Sequence, residues 1–162
     1  VFTHDPAVAR EAALGAGARV VGVSSLEAVA LSAFADAGGA AAVVCILETR
    51  RRDYFVQEFG PGPRASGDPA VQTADDLVAM LSGRDVTLAG NAVGRLRSER
   101  PELAGLPVAA GGGPAAAAVA EIAARVAAAD AAGSKGLESD LSPLYLRAPE
   151  AKLPPRGGRL RK

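Results

Sequence analysis

Apolar and polar positions along this chain fall into short blocks that alternate between two periods. The most informative block is Ala41–Phe59, AAVVCILETRRRDYFVQEF. Ala41–Leu47 is a continuous apolar run. A polar link, Glu48–Arg52, follows, and then a stretch in which Tyr54, Val56 and Glu58 face one way and Phe55, Gln57 and Phe59 the other. A run buried on both faces next to one with period-two alternation predicts a central strand and its hairpin partner. The link holds three consecutive arginines, Arg50–Arg52. Composition leaves open whether it is a solvated hairpin tip or a functional loop.

Elsewhere the punctuation predicts strands alternating with helices. Asp5-Pro6 reads as a helix cap and first helical position, with Ala7–Leu14 as a short helix ended by Gly15 and Gly17. Arg19–Val23 is expected to be a short strand. Ser24 and Glu27 have capping-box spacing, and Leu26, Val29, Ala30, Ala33 and Phe34 share one helical face up to Gly38-Gly39. Gly60–Pro69, with Pro61, Pro63, Gly62 and Gly67, is a loop with room for one short edge strand. Thr73 and Asp76 make a second capping box ahead of Leu77, Met80 and Leu81, with Gly83 as the stop.

The second half continues the alternation. Val86–Ala89 reads as a strand, and Gly90-Asn91 leads into a helix-like Ala92–Arg100. After Gly111–Gly113 and Pro114, Ala115–Ala129 is an alanine-rich helix with Val119, Ile122 and Val126 on its buried side. Residues 131–142 read as a polar link, Leu144–Arg147 as a last strand, and the residues after Pro149 as disordered. This alternation argues for an α/β class.

Composition narrows the picture modestly. Eighteen basic and eighteen acidic residues cancel over 162 residues, so no global field points to nucleic acid or an anionic membrane. The balance conceals an asymmetry: residues 149–162 carry Lys152, Arg156, Arg159, Arg161 and Lys162 against Glu150 alone, leaving the remainder net acidic. A single cysteine, Cys45, cannot form an intrachain disulfide, which fits a reducing compartment. With no apolar stretch long enough for a span and no signal-peptide pattern, the expectation is a cytoplasmic protein.

Candidate chemistry is sparse. Gly111–Gly113 precedes a helix but matches neither the dinucleotide fingerprint nor the phosphate-binding loop with its Lys-Ser/Thr ending, and Gly133-Ser134-Lys135-Gly136 lacks that loop's upstream glycine. His4 is the only histidine, with no metal partners at familiar spacing. Cys45, between Val44 and Ile46, reads as an inert core thiol with a raised pKa. Arg50–Arg52 is a solvated turn or an anion site, and the basic tail could contact RNA electrostatically.

Three segments, in order, resemble the bacterial TsaB (YeaZ) family. Val20–Ala28, VVGVSSLEA, with Ser24 and Ser25, looks like the family's strand-to-helix signature. Glu48-Thr49-Arg50 followed by Asp53-Tyr54-Phe55 stands where the family has Asp-Ala-Arg and then Glu-Val-Tyr. Pro143–Lys152, PLYLRAPEAK, with Tyr145 and Arg147, is similar to the family's terminal Pro-x-Tyr-Leu-Arg-x-Pro-x-Ala-Lys. The front departs from the pattern. The family's Asp-Thr-Ser strand has no counterpart, and Val1-Phe2-Thr3 resembles only the end of its Gly-Pro-Gly-Ser-Phe-Thr-Gly-x-Arg loop, with His4 in place of glycine.

The resemblance implies a ribonuclease-H-like, actin-like ATPase (ASKHA) subdomain with a mixed sheet and flanking helices. It divides the chain into residues 1–18, a vestige of a first subdomain, residues 19–148, a second subdomain, and residues 149–162, a basic tail. It further implies a non-catalytic scaffold or activator in the machinery that makes threonylcarbamoyladenosine on tRNA. The implied partners are a TsaD-like catalytic subunit and a TsaE-like ATPase, with weakened TsaD binding and no cofactor of its own. Two alternatives remain: a metal-dependent glycopeptidase-like enzyme of the same superfamily, and a small RNA-binding module using the arginine tip and basic tail.

Overall fold

The computed structural model describes residues 6–131 and Leu146. Its centre is the hairpin of β1 (Val43–Glu48) and β2 (Asp53–Gly60), paired antiparallel from Val43 opposite Phe59 to Glu48 opposite Tyr54. A short parallel strand, β5 (Thr87–Ala89), lies on the other edge of β1. The far flank of β2 is shared by two short antiparallel strands. β3 (Arg64–Ala65) pairs with Phe59 and Gly60, and β4 (Ala70–Thr73) pairs with Asp53–Val56. The result is one mixed, five-stranded sheet.

Helices cover both faces of this sheet, as the apolar run in β1 demands. Alternate β1 residues feed separate cores. Val44 and Ile46, with Tyr54, Val56 and Leu88, pack against α3 (Ala74–Leu81) and α4 (Val93–Glu99) through Leu77, Leu81 and Leu96. Val43 and Cys45, with Phe59 and Ala89, pack against Leu26, Val29, Ala30 and Ala33 of α2 (Ser25–Ala37). On its other side α2 receives α5 (Ala116–Ala131), where Ala118 and Ile122 bury Ala28. Val119 and Val126 are partly buried in the same contact, on the side their spacing predicts. The small side chains that make the sequence read as alanine-rich are what let α5 lie close on α2. The first helix, α1 (Pro6–Ala16), extends the expected Ala7–Leu14 by a half turn and leaves Leu14 exposed.

Local chemistry explains the element ends. Thr73 caps α3: its hydroxyl accepts from the Asp76 N–H at 3.2 Å, while the Asp76 carboxylate accepts from the Thr73 N–H at 3.1 Å. This is the reciprocal box that the spacing predicts. Gly38 closes α2 with φ at 55°, a left-handed conformation that glycine reaches without strain. After α4 the chain tightens into a 3₁₀ turn at Pro101–Leu103, whose following carbonyls are gathered by the Arg97 guanidinium, bonded to Leu103, Ala104 and Leu106.

Two expectations need correction, and one strand has no counterpart among the expected elements. Residues 19–23 form no strand: Gly22 interrupts the valines, and Val23 packs beside the α2–α5 contact. Ser24 does stand at the N-cap of α2, but its side chain makes no capping bond, so no capping box forms with Glu27. β4 was not foreseen, because four residues directly after Pro69 carry little alternation of their own. Its ladder comes from the β2 partner. The expected strand Leu144–Arg147 and the tail lie outside the described residues, apart from Leu146, as do Tyr145, Arg147 and His4.

Gly90 is the tightest point of the fold. Its φ is 119°, and a Cβ there would stand 2.1 Å from the Ile46 carbonyl oxygen. That oxygen accepts from the Ala92 N–H, so the turn from β5 into α4 is pressed directly onto β1. Gly94, in contrast, faces open space within α4. Gly90→Ala is therefore expected to cost about 3 kcal/mol or more. Gly94→Ala should gain roughly 0.5–1 kcal/mol from reduced chain entropy. Urea unfolding of the two variants beside the parent checks both signs.

Candidate functional site

The polar chemistry gathers at the end of the sheet where the β1–β2 hairpin turns. Thr49 organises that turn. Its hydroxyl lies 2.8 Å from the Asp53 carbonyl and 2.6 Å from the Asp53 carboxylate, and accepts from the Arg51 N–H at 3.2 Å. Such a Ser/Thr turn gives the backbone a partner where the ladder has ended. Arg50 stands at the apex with φ at 59°, the one non-glycine positive φ among the described residues. Arg50, Arg51 and Arg52 are all exposed.

Below the tip, Arg95 of α4 clamps the hairpin. Its Nε donates to both carboxylate oxygens of Glu48, at 2.9 and 3.1 Å. One terminal nitrogen donates to Glu99 at 3.1 Å and the other to the Asp53 carbonyl at 3.1 Å. The guanidinium also lies over the Tyr54 ring, 4.0 Å from its centroid, within cation–π range. The Tyr54 hydroxyl donates to Glu99 at 2.8 Å. Asn91 completes the arrangement by accepting from the Glu48 N–H at 3.1 Å, and Gly112 sits against Asn91. The three-glycine stretch thus passes beside this end of the sheet.

The electrostatics follow from this packing. Burial pushes the Tyr54 phenol up to about 12, its bond to Glu99 adding to the rise. The Tyr54 bond holds the Glu99 carboxyl below its ordinary value, helped by Arg95. Pairing with Glu48 raises Arg95 further. Each of these shifts favours the protonation state that its pairing uses, so the electrostatics reinforce the brace on the turn.

A second polar feature is a shallow cleft of about 260 Å³ at the start of α2, lined by Ser24, Glu27, Gln57, Phe59, Pro63, Ala65 and Pro69. Glu27 lines this cleft, and burial there raises its pKa. Ser25 opens α2 beside it and is exposed. Cys45 is fully buried between the sheet and α2, and burial pushes its thiol up to about 12. The burial agrees with the core position that the sequence predicts for it. Among the described residues no group of three or more His, Cys, Asp or Glu side chains is placed to hold a metal ion.

The structure therefore separates the residues singled out by sequence. Glu48 ends β1 below the hairpin turn and Arg50 stands at its apex, whereas Ser24 lines the cleft and Ser25 opens α2 beside it. Sequence reasoning missed Arg95, Glu99 and Asn91. The available signal was the i, i+4 spacing of Arg95 and Glu99 on a short helix directly after a glycine turn, but nothing local indicates that this pair reaches back to Glu48.

No protein-family model and no curated protein sequence matches the chain. Solved structures do. A Pseudomonas aeruginosa protein with similarity to the peptidase YeaZ superposes with a TM-score of 0.65 at 24% identity, over 88% of this chain and 65% of that one. The fold is YeaZ-like. YeaZ from Pseudomonas aeruginosa itself gives a TM-score of 0.64 at 24% identity, over 87% of this chain and 66% of its own. The chain thus spans just under two thirds of these YeaZ-like structures. Within the fold they share, the mixed sheet with helices on both faces agrees with the α/β architecture expected above. No helix among the described residues is long and apolar enough to cross a membrane.

The clamp carries two measurable consequences. Arg95→Met should cost about 2 kcal/mol, since it strands two partly exposed carboxylates and a carbonyl and removes the ring contact. Arg95→Lys keeps the charge but not the fork, and should fall between the two. The phenol has a pH signature. Its folded pKa lies above the ordinary 10.0, so its contribution is complete below pH 10 and is lost as pH rises toward 12, when only the unfolded chain ionises readily. Urea midpoints between pH 8 and 11 should fall for the parent and fall less for Tyr54→Phe.

Proposed function

We propose that this chain is a TsaB-like, non-catalytic partner subunit of the machinery that installs threonylcarbamoyladenosine on tRNA. The observation that carries the reading is the YeaZ-like fold over 88% of the chain, with Glu48-Thr49-Arg50 at the hairpin turn where the sequence resemblance to that family is centred. In this reading residues 19–148 are the second of two ribonuclease-H-like subdomains of the actin-like ATPase type. Residues 1–18 are a vestige of the first subdomain, and residues 149–162 a basic tail. The work is done in the cytoplasm, by holding a TsaD-like catalytic subunit in a productive complex with a TsaE-like ATPase.

The chemistry of the site supports a scaffold. Arg95, Glu48, Glu99 and Tyr54 satisfy one another, and a group whose bonds are all engaged stabilises a shape better than it moves a proton. One of the similar Pseudomonas proteins is described as resembling a peptidase. A metal-dependent peptidase reading of this chain would need a cluster of metal ligands, and among the described residues no group of three or more His, Cys, Asp or Glu side chains is placed to hold one.

The test is reconstitution: purified chain, TsaD-like subunit, TsaE-like ATPase, ATP and a tRNA transcript, with the modified nucleoside measured by mass spectrometry after digestion. The expected result is stimulation that rises with the amount of chain added and then saturates. Stimulation absent at every concentration would overturn the scaffold reading.

A further inference from the structure

The cleft at the start of α2 holds polar groups that the fold does not use. Ser24 stands at the N-cap of α2, yet its hydroxyl makes no capping bond. Glu27, in the first turn, is half-buried, and burial alone raises its pKa, so no cation among the described residues answers its carboxylate. Gln57 faces the same cleft from β2. Its amide nitrogen donates to the Gly67 carbonyl at 2.9 Å, which leaves the side-chain oxygen as an acceptor. A carboxylate, an amide oxygen and a hydroxyl thus stand beside the apolar surfaces of Phe59, Pro63 and Pro69.

The wall opposite α2 is held in place. Residues 61–69 fold back on β2 through the Gln57–Gly67 bond and through the Ser66 N–H, which donates to the Glu58 carbonyl at 2.9 Å. Pro63 and Pro69 stiffen the same segment, so the cleft exists before anything enters it. Arg64 does not neutralise Glu27. Successive strand residues face opposite sides, and its neighbour Ala65 is the one that lines the cleft.

Charge and size narrow what fits. An anion is opposed, because Glu27 already places a negative charge at this helix start. A cation with several N–H donors matches the acceptors. At about 260 Å³ the cleft is smaller than the roughly 300–1,000 Å³ of pockets that enclose a free ligand, so it suits the end of one side chain carried on a larger surface. Residues 6–131 are net acidic, which favours the approach of a basic partner. Arginine suits the site better than lysine. Its flat, weakly hydrated guanidinium donates in several directions and lies well on apolar rings. We propose that this cleft seats an arginine side chain of a partner protein, its guanidinium donating to the Glu27 carboxylate and the Gln57 side-chain oxygen. The inference rests on the cleft alone and is independent of the subunit role proposed above.

The experiment is a titration of the isotope-labelled full chain with the capped peptide acetyl-Gly-Arg-Gly-amide, followed by amide chemical shifts. Two further peptides carry lysine or citrulline, the uncharged isostere, in place of arginine. The arginine peptide should move the resonances of residues 24–27, Gln57 and 63–69, with a Kd of about 1–10 mM. The lysine peptide should bind several-fold more weakly and the citrulline peptide at least about tenfold more weakly. Glu27→Gln should lose about tenfold in affinity for the arginine peptide while its thermal midpoint stays level or rises. Glu102→Gln removes an equal charge beside Leu103, in the core on the other face of the sheet, and should bind as the parent does. Citrulline binding as well as arginine overturns the proposal, as does parental affinity in Glu27→Gln or shifts confined to residues outside the cleft. Binding that tightens several-fold in the tail variant Arg156→Gln/Arg159→Gln/Arg161→Gln also overturns it, by assigning the cleft to the chain's own arginines. Free arginine binding more tightly than the peptide overturns it in favour of a small-molecule site.

Discussion

The structure depends on β1 being buried on both faces at once. A strand whose alternate side chains enter different cores needs helices above and below it, and every other element serves one of those two needs. α2 covers Val43 and Cys45. α3 and α4 cover Val44 and Ile46. β2 and β5 take its two hydrogen-bonding edges. Gly90 lets the second half of the chain reach β1 closely enough to complete this enclosure, because any side chain there would meet the Ile46 carbonyl.

That enclosure explains why the polar chemistry is concentrated at one end of the sheet. A strand sealed on both faces and both edges can present function only where it stops. At Glu48 it stops, and there the Arg95 guanidinium joins the last residue of β1, the first carbonyl of β2 and the aromatic ring between them. The clamp ties sequence-distant parts of the chain into one rigid corner, so the turn above it keeps a single shape. It also makes Glu48 serve the fold more than any ligand.

Much of this was legible in the residues. The unbroken apolar run from Ala41, and the alternation from Tyr54, encode β1 and β2 because burial on two faces or one leaves a direct mark on side-chain type. Thr73 and Asp76 encode their cap because that chemistry is local. Arg19–Val23 misled, since valines suggest a strand whether or not a neighbouring edge is free to receive them. β4 was hidden for the converse reason: Ala70–Thr73 has little strand character of its own and takes its form from β2. The Glu48–Arg95 pairing was not legible at all. Only the parallel return of β5, followed by the Gly90 turn, brings α4 to the hairpin.

The shared flank of β2 has a consequence for how the molecule behaves in a crowded solution. An exposed strand edge is a template on which other chains can pair, and the danger grows with the length of uninterrupted ladder it offers. Here the flank is divided between Arg64–Ala65 and Ala70–Thr73. Pro63 precedes the first piece and Pro69 the second, and the second runs straight into the capped start of α3. On the opposite side, Leu88 is bridged by Val108. Each edge is thereby cut to a length too short to nucleate a growing sheet, so the stretch richest in β-forming residues stays at the centre, shielded from its own kind.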